Sequence, residues 1–255
     1  MPDPFARKTY LHAVTDPVLS VQFSTGKRTR ALQVQSFLKT LNEAAAAKNP
    51  TETASEPLSL AVLTVTDWRR LLSAPYGWGV ARRAEGVVAL LLPATYPPRL
   101  IARWDAVRLR AGRQGVRAPG SVTAYLDALL GLEWAHALLL SNQQGRAPRP
   151  WLREVAAAHL YQATLVELKD ASRLEYLNAW ARVQQAGAAP QTDDLEGFAY
   201  PRGKQPFDEL LWLQSSLWLK AAQLGTKHSW TLSAPEVREQ LRTEAEKTFR
   251  HPLTL

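Results

Sequence analysis

Glu133 and His136 stand three residues apart in the stretch GLEWAHALLL, and Glu154 follows a polar loop in PRPWLREV. Residues three and four apart share one face of a helix. Two His at i and i+4 on one helix, with a carboxylate from the next helix, give a divalent metal three protein ligands and leave a fourth place for water. A Glu beside the first His then takes the proton of that water, which the metal has acidified. Glu133 stands in the position of the base. His136 and Glu154 stand in two ligand positions. Leu132 stands where the first His belongs, and Leu has no lone pair to give a metal. The plain alternative is a helix pair without chemistry. A Glu in the first turn of a helix is favoured by the macrodipole in any case.

The elements that must position these residues follow from periodicity. VLSVQF (18–23) is a short β-prone run, and TRALQVQSFLKTLNEAAAAK (29–48) has apolar residues near helical spacing. NPTETASEP is a loop rich in turn formers. Leu58–Val65 is apolar on both faces, as a buried strand is. Thr66 suits an N-cap before DWRRLL. PYGWG is a turn, and Gly86–Ala94 is a second apolar strand ended by Pro93.

From there the chain reads as helices. PPRLIARWDAVRLRAG opens on proline and closes at Gly112, with Leu100, Ile101, Trp104, Val107 and Ala111 on one face. Arg99, Arg103 and Arg110 share the other face, a candidate contact for nucleic acid or an acidic partner. Ser121 caps a long helix to Leu140, whose inward face carries Leu129, Leu132, Glu133, His136 and Leu140. Pro150 opens the next, Trp151 to about Leu168. Ala171–Gln185, Pro206–Leu224 and Pro235–Phe249 complete the set. The expected fold is α+β: a small N-terminal mixed sheet with helices, then a helical bundle. Residues 1–255 are expected to form one domain, with a sheet-containing part over 1–112 and a helical part over 113–255.

Composition narrows the function classes. Of 255 residues, 46% are apolar and 21% charged, the balance of a folded chain. The absence of cysteine excludes disulfides and thiolate metal sites, so a metal would need His and carboxylates. No apolar run is long enough to span a bilayer, and a cytoplasmic protein is expected. The net charge is +8. Between Arg82 and Arg117, eight arginines face only Glu85 and Asp105, which places six of those eight charges in that segment.

The order of features resembles the gluzincin zinc peptidases over roughly Val18–Leu168. A strand, a helix, a strand with the TDWRRLL helix, the PYGWG turn, a strand ending LLLPA, the LEWAH helix and PRPWLRE follow in turn. Trp151, Leu152 and Glu154 match the family's Trp-Leu-x-Glu motif, whose Glu is the third ligand. Glu133 and His136 match the second and fifth positions of its HExxH box. The resemblance implies a zincin-like sheet whose LLLPA strand is an edge that binds extended peptide. It also implies that Leu132 replaces a ligand. A full structural zinc site is worth about 10–16 kcal/mol over four ligands, so the loss is about 3 kcal/mol, or about two decades in affinity. His159, five residues past Glu154, lies roughly 140° around its helix and points elsewhere. His12, His228 and His251 lie in other segments.

The expectation is therefore a catalytically inactive metallopeptidase-like protein. It would serve as a binding or structural module for an extended peptide or partner protein, with no cofactor. Two alternatives stand beside it: a zinc-dependent hydrolase with an unusual ligand set, and a nucleic-acid-binding protein using the Arg-rich helix. Nine tryptophans read most simply as core residues.

Overall fold

The computed structural model describes residues 10–48, 58–84, 86–142, 150–188 and 206–227. The loop 49–57, the stretch TDDLEGFAYP, the helix expected over Pro235–Phe249, His228 and His251 lie outside the described residues. The fold is α+β, a five-stranded mixed sheet followed by a helical region. Its residues gather into two compact units. One comprises Met1–Ile101 and Leu129–Arg146, the other Ala102–Ala128 and Ala147–Leu255.

The first unit holds the sheet. Its strands are β1 (His12–Val14), β2 (Ser20–Phe23), β3 (Leu58–Leu63), β4 (Val80–Ala84) and β5 (Val87–Pro93), in spatial order β1-β2-β3-β5-β4. β2, β3 and β5 run parallel, while β1 and β4 are antiparallel to their neighbours. Helix α1 (Arg28–Lys48) crosses from β2 to β3, as a parallel pair requires. β5 is apolar throughout and β3 is apolar but for Ser59, because both faces are covered, while β2 also buries Gln22. On one face Ala61, Leu63, Ala89, Leu91 and Val80 pack on Trp68 of α2 (Val65–Leu71). α1 and α5 (Leu130–Ser141) also contact the sheet, α5 along β4 and β5. The Tyr76 hydroxyl ties the strand ends together, donating to the Leu63 carbonyl at 3.1 Å and accepting from the Thr95 amide at 3.2 Å.

Three expectations change here. The strand ending LLLPA is not an edge: β5 lies between β3 and β4, and the edge is β4, whose VARRA sequence hid it. The cap of α2 is Thr64, not Thr66. β3 ends at Leu63, the Thr64 amide donates to Ser24 Oγ at 2.9 Å, and the Thr64 hydroxyl accepts from the Asp67 amide. Helix α3 (Pro98–Arg113) runs through Gly112, and its left-handed terminal residue is Gly115, at φ 81°. The amides of Gly115 and Val116 return to the carbonyls of Gly112 and Ala111 at 3.1 and 3.0 Å.

The second unit is helical. It contains most of α3, α4 (Val122–Ala128), α6 (Pro150–Glu167), α7 (Ala171–Gly187) and α8 (Phe207–Lys227). α8 packs on both α6 and α7. The core holds Trp104, Tyr125, Trp180 and Phe207, with Tyr125 stacked on Trp180 at 4.5 Å and Trp104 edge-on to all three others. α6 ends with Lys169 in the left-handed region, φ 56°, and the Asp170 amide returns to the Leu165 carbonyl at 2.9 Å. Asp170 then caps α7 by accepting from the Arg173 amide at 3.1 Å.

Candidate functional site

The helix expected from Ser121 to Leu140 is two helices. Ser121 does cap the first, its hydroxyl accepting from the Ala124 amide at 3.2 Å. The break falls at Leu129. The Ala128 carbonyl accepts the Tyr161 hydroxyl at 2.8 Å, and the Leu132 amide turns to the Leu129 carbonyl at 2.9 Å, an i to i+3 bond. α5 therefore starts afresh with Leu132, Glu133 and His136 in its first two turns.

α5 is fixed to β4 at two points. A Cβ built on Gly79 would stand 2.5 Å from Cγ of Glu133, so the glycine just before β4 gives the Glu133 side chain its space. At the far end, Nη2 of Arg83 donates to the Leu140 carbonyl at 2.6 Å and to the Ser141 carbonyl at 3.3 Å. A cation on the last carbonyls satisfies acceptors that a helix end leaves open and favours the dipole. Gly79 pairs with the start of α5 and Arg83 with its end, so strand and helix run in the same direction. Buried residues occur almost all round α5, Trp134, Leu138 and Ser141 among them, so its buried surface is not confined to the Leu129–Leu140 stripe. Leu132 is 2% exposed and Glu133 7%, while His136 is half-buried.

Glu154 belongs to the second unit. It sits in the second turn of α6, 2% exposed, and Oε1 accepts the Gln214 side-chain amide of α8 at 3.2 Å. His159, five residues further on, is also buried. Burial pushes its pKa down to about 4, partly offset by a hydrogen bond to the Ala221 backbone of α8. His12 lies on β1, where Nε2 is 3.2 Å from the Thr25 hydroxyl and the ring stacks on Phe23. Sequence reasoning passed over Gly79, Arg83 and Gln214. The glycine spacing of PYGWGV was the one local signal, read only as a turn.

The chemistry of this donor set does not fit zinc. Of the three ligand positions, the first is an aliphatic side chain, buried and without a donor atom. The carboxylate at the third already accepts a side-chain amide.

The basic face of α3 differs from expectation in one residue. Arg99 and Arg103 are exposed. Arg110 is half-buried and engaged: its Nε donates to the Gly187 carbonyl at 2.6 Å and its guanidinium pairs with Asp208. Asp208 lies 98 residues away in sequence, which is why periodicity could not show the pair.

Comparison of the chain with protein-family models, curated proteins and solved structures returned no match.

Proposed function

We propose that this chain is a catalytically inactive metallopeptidase-like protein that serves as a binding module for an extended peptide laid along β4. The observation that carries the reading is the side-by-side placement of β4 and α5, set by Gly79 against Glu133 and by Arg83 on the end of α5. It supports the gluzincin likeness stated from the sequence, in which the sheet precedes the base-bearing helix and an edge strand binds extended peptide. β4 pairs with β5 on one side only, and no other strand of the described residues pairs with it. An edge of this kind offers main-chain hydrogen bonds to an added strand, and alternate side chains of the peptide supply selectivity. Glu133 is then a base without a metal-bound water and His136 a ligand without its partner, both on α5 of the first unit.

The test is selection of random peptides displayed on phage, followed by amide hydrogen exchange with the synthetic winners bound. The reading predicts slowed exchange at the amides of 80–84. Failure to select any peptide, or protection confined to other segments, would overturn it. Zinc-dependent cleavage of the selected peptides would replace the module with a hydrolase.

A further inference from the structure

We propose that the exposed face of α3 in the second unit, with the turn that follows it, binds the phosphate backbone of duplex nucleic acid through Arg103, Arg113 and Arg117. All three are exposed. The nearby carboxylates are already used: Asp105 pairs with Arg108 at 2.9 Å, and Asp208 with Arg110. Among the described residues, Arg103, Arg113 and Arg117 have no such ion pair. Arg103 is also held in place. Its guanidinium lies over the Phe207 ring, 3.9 Å from the centroid. Stacking uses the face of the group and leaves its in-plane N–H donors for phosphate oxygens.

The spacing selects a polymer over a small anion. Arg103 and Arg113 are about 15 Å apart along the helix axis at 1.5 Å per residue, several phosphates along a strand. Ala102 and Ala106, both exposed, lie between or beside them and let a backbone approach closely. Arg113 in the last turn offsets the partial negative charge of the helix end. The turn at Gly115 then carries the chain on to Arg117. The strip lacks the apolar face of a membrane-surface helix, since Leu109 is its one large exposed hydrophobic residue. It also lacks a platform for unstacked bases, because Trp104 is fully buried. Duplex backbone is the occupant these features favour.

The test is fluorescence anisotropy with a labelled mixed-sequence duplex of about 20 base pairs, between about 50 and about 200 mM salt. The parent protein should bind at low salt and weaken steeply as salt rises. A variant carrying Arg103→Gln, Arg113→Gln and Arg117→Gln should bind at least about tenfold more weakly at the lowest salt. Its log–log salt slope should be shallower by about 0.9 for each phosphate no longer neutralised. Asp105→Asn combined with Arg108→Gln, which removes the pair with no change in net charge, should leave both quantities near the parent's. Arg117→Gln alone, beyond the end of α3, repeats the test should the triple variant fold poorly. No binding by the parent at the lowest salt, an unchanged slope in the triple and single variants, or preference for single strands or for anionic phospholipid vesicles over the duplex would each overturn the proposal.

Discussion

Gly79 and Glu133 cannot both carry a full side chain where they stand: a Cβ on residue 79 would lie 2.5 Å from Cγ and 2.8 Å from Cδ of Glu133. Glu133 is buried, and Gly79 is buried too, so neither can move into solvent cheaply. Gly79→Ala should destabilise the protein by about 1–3 kcal/mol, the range of overpacked sites. Gly79→Ala combined with Glu133→Ala should recover part of that loss, since the second change removes the atoms the first one strikes. Chemical denaturation of the parent, both single variants and the double measures the coupling. Additive effects would mean that the two residues do not share this space.

Two groups set separate windows of acid sensitivity. Burial lowers the His159 pKa from 6.5 to about 4. The folded state therefore resists a proton that the unfolded state accepts. Stability should fall from about pH 6.5 to about pH 4 and then level off, by about 3 kcal/mol in all at 1.36 kcal/mol per pKa unit. Asp16, held by Lys39 and by the amides of Val18 and Leu19, has its pKa lowered from 3.8 to about 2. Its contribution is present above pH 3.8 and is lost as the pH falls toward 2. Urea denaturation against pH should show the first window vanish in His159→Leu and the second in Asp16→Asn.

Lys169 closes α6 in the left-handed region, at φ 56°. A side chain there is strained by about 1 kcal/mol, and glycine is not. Lys169→Gly should raise stability by up to about 1 kcal/mol, less the extra freedom glycine gives the unfolded chain. A denaturation midpoint at or below the parent's would show that the Lys169 side chain contributes more than its backbone costs.

What was legible in the sequence was what depends on near neighbours. Leu58–Leu63 and Val87–Pro93 read as strands because burial on both faces makes them apolar, with Ser59 the single exception. α1, α3, α6, α7 and α8 read as helices from their periodicity, with Pro98 and Pro150 marking two starts. What failed depends on distant partners. The break at Leu129 follows from the Tyr161 hydroxyl, 33 residues away, taking the Ala128 carbonyl. Arg110 belonged to the exposed stripe by spacing alone and was drawn from it by Asp208 and the Gly187 carbonyl. β4 was missed because VARRA has no apolar alternation long enough to register, and with it the identity of the sheet's edge. For the site, the residue types and their helices were legible. The packing of Gly79 on Glu133 and the amide of Gln214 on Glu154 were not, because neither leaves a pattern along the chain.

Under the proposed function, α5 is a metallopeptidase helix with one ligand exchanged for Leu132. Leu132→His places two imidazoles at i and i+4 on that helix, with Glu133 beside the first. Zinc titration of parent and variant by calorimetry, with thermal unfolding at each concentration, tests this directly. The variant should be somewhat less stable than the parent without metal, because a polar ring replaces a buried aliphatic side chain. It should bind zinc about two decades more tightly, in line with about 3 kcal/mol per ligand, and its unfolding temperature should rise as zinc is added. A folded Leu132→His variant that binds zinc no better than the parent would contradict the assignment of Leu132, Glu133 and His136 as the remnant of a metal site.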